Sequence, residues 1–125
     1  MIPRQLNVDD ASPVPVYAQL SEQMLGLVAR GELAAGAQLP SVRDVAAGLG
    51  VNPNTVNRAY AELERIGVVE TRRGRGTFVA ERRHKRPGIP RLAALAEPFV
   101  ARAQALGYAG HQIVSTVAKI VRKNA

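Results

Sequence analysis

The chain has no cysteine and no tryptophan, and only two phenylalanines and three tyrosines among its 125 residues. Without thiols it can form no disulfide, no thiolate nucleophile and no cysteine-based zinc site, a composition compatible with a reducing compartment. Aromatics make up 4% of the residues, too few for the stacked ladder that grips unpaired nucleic acid. Histidine is sparse as well. His84 falls in a basic stretch and His111 near the start of the last helical pattern, where solvated and capping roles are expected. Neither has HExxH spacing, and no glycine-rich phosphate loop follows a strand pattern, so the expectation is no enzyme, no metal and no cofactor. The opening "MIPRQLNVDD" lacks the apolar run of a signal peptide. No segment approaches the roughly 20 apolar residues of a membrane span. A soluble, cytoplasmic protein with no membrane partner is expected.

Acidic residues are also in deficit, 10 against 17 lysines and arginines, for a formal net charge of +7. The excess is concentrated. Arg72, Arg73, Arg75, Arg82, Arg83, Lys85, Arg86 and Arg91 are opposed only by Glu81 in that stretch. Such a run is an electrostatic footprint for a polyanion, most often nucleic acid. It carries no apolar face at helical spacing, which argues against a membrane surface. An apolar content of 46% suffices for one small domain and an appendage that must bury its apolar face on something else.

Along the chain, Tyr17, Leu20, Met24, Leu27 and Val28 recur at three- and four-residue steps and form the stripe of a first helix ending at Gly31. A connector follows, extended at Leu39 because the residue before a proline avoids the α region. Ser41 caps a second helix, with Asp44 placed to complete a capping box and Val42, Val45, Ala46 and Leu49 facing inward. Gly50 stops it. Asn52 then caps a third helix that starts with Pro53 and ends at Gly67, with Val56, Ala59, Tyr60, Leu63 and Ile66 expected in the core. Its other face carries Asn54, Thr55, Asn57, Arg58, Glu62 and Arg65. A tight glycine turn between two helices, the second exposing amides and hydroxyls in its first turns, is a helix-turn-helix pattern. An ordinary packed helix pair more often exposes Glu and Lys.

"VVET" and "GTFVA" then read as two strands joined by a turn containing Arg72, Arg73, Gly74, Arg75 and Gly76. Taken alone, that turn fits a solvated hairpin tip as well as an anion contact. Beside a recognition helix it becomes a wing. The fold class is therefore mainly α with a small β-hairpin: a winged helix-turn-helix over residues 1–80, with its core at 13–80. A basic Pro/Gly linker over residues 81–90 and a two-helix extension over 91–125 complete it. In the extension Leu92, Leu95, Phe99 and Leu106 share one stripe, with Pro98 expected to kink or split their helix near Glu97. Ile113, Val117, Ile120 and Val121 share another. These two helices are too small for a core of their own, so they must fold back on the winged domain or pair with a second copy.

The motifs "LPSVRDVA", "LGVNPNTVNRAYAELE" and "GRGTFV", at these spacings, resemble the N-terminal domain of GntR-family bacterial transcription regulators over about residues 13–80. The short tail resembles the YtrA-type branch, in which two helices form the dimer interface. The resemblance implies a homodimeric regulator, a repressor by expectation, that binds a palindromic operator in double-stranded DNA. It places Arg43 at the position of a family arginine that touches phosphate or base. It places Arg73, Gly74 and Arg75 on the wing that enters the minor groove. Many members begin the recognition helix with Ser-Arg-Thr-Thr and carry a second arginine four residues on. Here Asn52, Pro53, Asn54, Thr55 and Asn57 stand there, which moves base reading toward amides and toward Arg58 and Arg43. Candidate DNA contacts are therefore Ser41, Arg43, Asn52, Asn54, Thr55, Asn57, Arg58, Arg72, Arg73, Gly74, Arg75 and Gly76. The large effector-binding domain of some relatives has no counterpart, so any small-molecule effector has only the tail helices or a dimer seam to occupy. Two other classes fit the same residues. One is a nonspecific architectural DNA- or RNA-binding protein; the other is a protein-interaction module, which leaves the arginine turn without a purpose.

Overall fold

The computed structural model describes residues 6–81 and 89–124. Arg82, Arg83, His84, Lys85 and Arg86, most of the expected linker, lie outside the described residues. The order of elements is α1 (Val16–Ala29), α2 (Val42–Leu49), α3 (Pro53–Arg65), β1 (Val69–Arg72), β2 (Gly76–Val79), α4 (Ile89–Ala105) and α5 (Gly110–Asn124). The chain divides into two compact units, Met1–Glu81 and Arg82–Ala125.

In the first unit, the α1 stripe places Leu20, Met24 and Leu27 in a core shared with Val45 and Ala46 of α2 and with Val56, Ala59, Tyr60 and Leu63 of α3. Val69 and Val79 seal it from the hairpin side. Truncating Leu20 or Leu63, each fully buried, costs about 3 kcal/mol by lost transfer and an unfilled cavity. Leu6 also enters this core, upstream of the boundary expected at residue 13. Two α1 glutamines hold that N-terminal stretch. Gln23 exchanges hydrogen bonds with the Asn7 backbone at 2.9 and 2.8 Å. Gln19 accepts from Asp9 N–H and donates to the Asp9 and Val14 carbonyls.

The strands pair antiparallel with Val69 opposite Val79 and Arg72 opposite Gly76. Residues 36–39, expected only as a connector, run along the free edge of β2. Gly36 N–H donates to the Val79 carbonyl, Val79 N–H to Ala37, and Leu39 N–H to Thr77 at 2.8 Å. The segment leading into α2 is thus stitched to the hairpin. Ile66 departs from expectation: it is 42% exposed. The helix ends at Arg65 and Ile66 is its cap residue, so the stripe no longer carries its side chain inward. Val68 packs against the core instead.

In the second unit, α4 starts at Ile89, inside the stretch read as linker, and continues through Pro98 without a break. The expected split does not occur. Pro98 removes a single donor, and Ala94, whose carbonyl loses that partner, is exposed and can be solvated. Gln112 opens α5 by accepting a hydrogen bond from Ala109 N–H at 2.8 Å. Among the described residues of this unit Ala103 and Ile113 are buried, and between α4 and α5 lies a cleft of about 400 Å³ lined by Phe99, Leu106, Tyr108 and Ile113 among others.

Candidate nucleic-acid interface

The helix-turn-helix is built by its caps. Ser41 Oγ accepts from Asp44 N–H at 3.0 Å and starts α2. Gly50 ends it in the left-handed conformation, φ 67°. Asn52 Oδ1 accepts from Asn54 N–H at 2.8 Å and Pro53 supplies the first turn of α3. Ser41 and Asn52, expected to touch DNA, thus already use an oxygen locally. The Asn52 amide group remains a donor.

Arg43 and Asn57 come together across an open cleft of about 530 Å³, lined also by Ala47, Val51 and Pro53. Both are exposed, as are Asn54 and Arg58; Thr55 is half-buried. Arg58 has a partner that its sequence neighbours did not reveal. Its guanidinium lies over the Tyr17 ring, 3.9 Å from the centroid, a cation–π contact that holds the charge on the outer surface. At the far end of the same face Glu62 and Arg65 pair through two hydrogen bonds. That hydrogen bond, followed by the Arg65 charge, holds the Glu62 carboxyl below its usual range, and Arg65 is raised in turn. Behind the helix, the buried Tyr60 hydroxyl donates to the Pro40 carbonyl at 2.5 Å, tying α3 to the residue before the α2 cap. Burial pushes this phenol well above its ordinary pKa.

At the wing, Arg75 N–H donates to the Arg72 carbonyl at 2.9 Å and closes a four-residue turn. Gly74 takes φ 75° there, a value that favours glycine. Arg73, Gly74 and Arg75 are exposed. Arg72 behaves differently. It pairs with Glu70 at 2.8 Å and stacks on Phe78 at 4.3 Å, so its charge is partly spent within the hairpin. Gly76 has φ 117°, and a Cβ there would lie 2.7 Å from Gln38 Nε2. Gln38 in turn donates to the Arg75 carbonyl at 2.9 Å. Neither Tyr17 nor Gln38 was among the expected contacts, because each matters through a partner distant in sequence.

Residues 16–79 match the family described as bacterial regulatory proteins, gntR family. The chain belongs to the GntR family. It is 47% identical over 76 residues to the HTH-type transcriptional repressor YtrA of Bacillus subtilis (strain 168), covering 61% of this chain and 58% of that protein. The chain thus spans under two thirds of that relative. It is 44% identical over 102 residues to the HTH-type transcriptional regulator Rv1152 of Mycobacterium tuberculosis, covering 82% of each. Among solved structures it resembles the AraR DNA-binding domain in complex with operator ORX1. That match has a TM-score of 0.56 and 26% identity, and covers 62% of this chain and all of that one. The first unit has the winged helix-turn-helix fold of that family. The helix-turn-helix and wing expected from the sequence are both present.

Of the eight tail residues expected at a dimer seam, Leu92, Leu95, Phe99, Leu106, Val117, Ile120 and Val121 are exposed in the single chain, Leu95 by 74% and Leu106 by 78%. Ile113 is buried within its own chain.

Proposed function

We propose that this GntR-family chain is a homodimeric repressor that reads a palindromic operator in duplex DNA with two copies of α3 and two wings. The observation that carries the reading is the outer surface of the helix-turn-helix. Arg43 and Asn57 face one open cleft, with Asn54 and Arg58 exposed on the same recognition helix. Amides pair bidentately with adenine edges and arginines with guanine edges in the major groove. Ser41 and Asn52 contribute through the caps that aim the helices, and Thr55 through its half-buried hydroxyl. The wing supplies the second grip. Arg73 and Arg75 flank Gly74 at a narrow minor groove, where negative potential is concentrated. Arg72 and Gly76 shape that turn.

Repression is supported by the similarity to the YtrA repressor, and operator binding by the likeness to AraR bound to its operator. Dimer formation is supported by the exposed apolar tail: large apolar side chains left in water on two helices, Leu92, Leu95, Phe99, Val117, Ile120 and Val121 among them, call for a partner surface. A second copy presents the same stripe and closes a two-fold assembly with half-sites about one helical turn apart. The cytoplasm is the compartment that suits such a protein. No cofactor, metal or catalytic step enters the reading.

Two alanine variants test it against the architectural alternative. Asn54→Ala and Asn57→Ala are each expected to lower affinity for a selected palindrome by about tenfold while leaving affinity for random duplex unchanged. Equal affinities for both duplexes, untouched by either substitution, would overturn sequence reading.

A further inference from the structure

The edge segment at residues 36–39 stops donating main-chain hydrogen bonds to β2 at Leu39, whose N–H meets the Thr77 carbonyl. Pro40 has no N–H, and Ser41 already caps α2. The next outward carbonyl, that of Arg75, is met by a side chain instead: Gln38 Nε2 donates to it at 2.9 Å. Room for that carboxamide exists because residue 76 is glycine, where a Cβ would stand 2.7 Å from Nε2. The bond therefore lands on the wing turn itself, between the exposed arginine side chains and the strand. Gln38 is anchored at its other end by the bridge to Phe78 and lies three residues before the Ser41 cap.

We propose that Gln38 is a positioning residue for the wing: its carboxamide extends the sheet by one hydrogen bond and fixes Arg73 and Arg75 relative to the start of α2. The inference rests on the reading of the wing as a duplex contact. A hairpin turn held by its own closing bond alone pivots about β2. One bound to the segment leading into α2 moves with the helix-turn-helix, so the arginines are ordered before DNA arrives and less entropy is lost on binding.

The test uses the full chain with Gln38→Ala and with Gln38→Met, which keeps the length of the side chain and removes the donor. Amide hydrogen exchange in the free protein is read at Arg75, whose N–H closes the wing turn. Both variants are expected to accelerate it by about fivefold, the loss of one hydrogen bond. Affinity for a selected duplex is then measured in a double-mutant cycle. Gln38→Ala is expected to weaken binding by about fivefold in the wild-type background, and to have little effect where Arg73 and Arg75 are already alanine. Unchanged exchange at Arg75, or an equal affinity loss in both backgrounds, overturns the proposal, the latter by showing that Gln38 acts on DNA without the wing. Faster exchange in a chain that prefers no duplex instead removes the operator reading and leaves the hydrogen-bonded clamp standing, so the two failures are distinguishable.

Discussion

The guanidinium of Arg58 on α3 lies 3.9 Å from the centroid of the Tyr17 ring on α1. Tyr17 belongs by spacing to the core stripe, yet it is only half-buried. Its ring forms a shelf between the core and the outer face of α3. A free arginine loses rotamer entropy when it meets a base; one already stacked loses less. Replacing Tyr17 with Leu keeps an apolar filler and removes the shelf. A coupling of about 0.5–1 kcal/mol between positions 17 and 58 is expected, read from a double-mutant cycle of urea unfolding, and Tyr17→Phe should retain it.

Asn52 and Asn54 should separate stability from binding. The Asn52 side chain caps α3, so Asn52→Ala is expected to lower stability by about 1 kcal/mol, visible as a lower urea midpoint. Asn54 is exposed and contributes its backbone N–H to that cap. Asn54→Ala should shift the midpoint by less than about 0.5 kcal/mol.

How much was legible in the sequence follows from the range of each interaction. Helix stripes, caps and the hairpin are set by neighbours within a few residues, so α1 to α3 and the wing were readable. What escaped depends on distant pairs. The glutamines that hold residues 7–14, the Gln38 bond to the wing and the Arg58 stack join positions 5 to 41 apart, and no local pattern announces them. Ile66 and the split at Pro98 failed for the converse reason. A periodic stripe does not say that a helix has ended one residue early, and a proline in an alanine-rich helix costs too little to break it when the freed carbonyl reaches water.

Within the wing, the three arginines are not equivalent. Arg72 is tied to Glu70 and Phe78, whereas Arg73 and Arg75 are exposed. Arg73→Ala or Arg75→Ala should weaken binding to all duplexes alike and reduce the slope of log affinity against log salt by about one each. Arg72→Ala should change that slope less. Binding isotherms between roughly 50 and 200 mM salt decide it.

Tyr60 predicts the alkaline behaviour of the fold. Its pKa is raised by burial, so the folded phenol keeps its proton at pH values where the unfolded chain has lost it. The associated stability is fully present below the unfolded value near 10 and is lost as pH rises from there through the folded value. Unfolding free energy should therefore decline above about pH 10. Tyr60→Phe should show less of that decline and, at neutral pH, a loss of about 1–2 kcal/mol from the unpartnered Pro40 carbonyl.

The proposed dimer rests on the tail. Leu95 and Val121 are exposed by 74% and 62% in the single chain. Leu95→Asp or Val121→Asp should shift sedimentation from dimer to monomer while leaving the urea midpoint of the winged unit in place. A monomeric wild-type chain would contradict the two-fold arrangement.

Selection of duplexes from a random pool tests the central claim most directly. A specific dimeric regulator should recover one palindromic site with half-sites about one helical turn apart, with preference at each half-site reduced by Asn57→Ala. Recovery of no common sequence, with random duplex held as tightly as any selected one, would contradict the account.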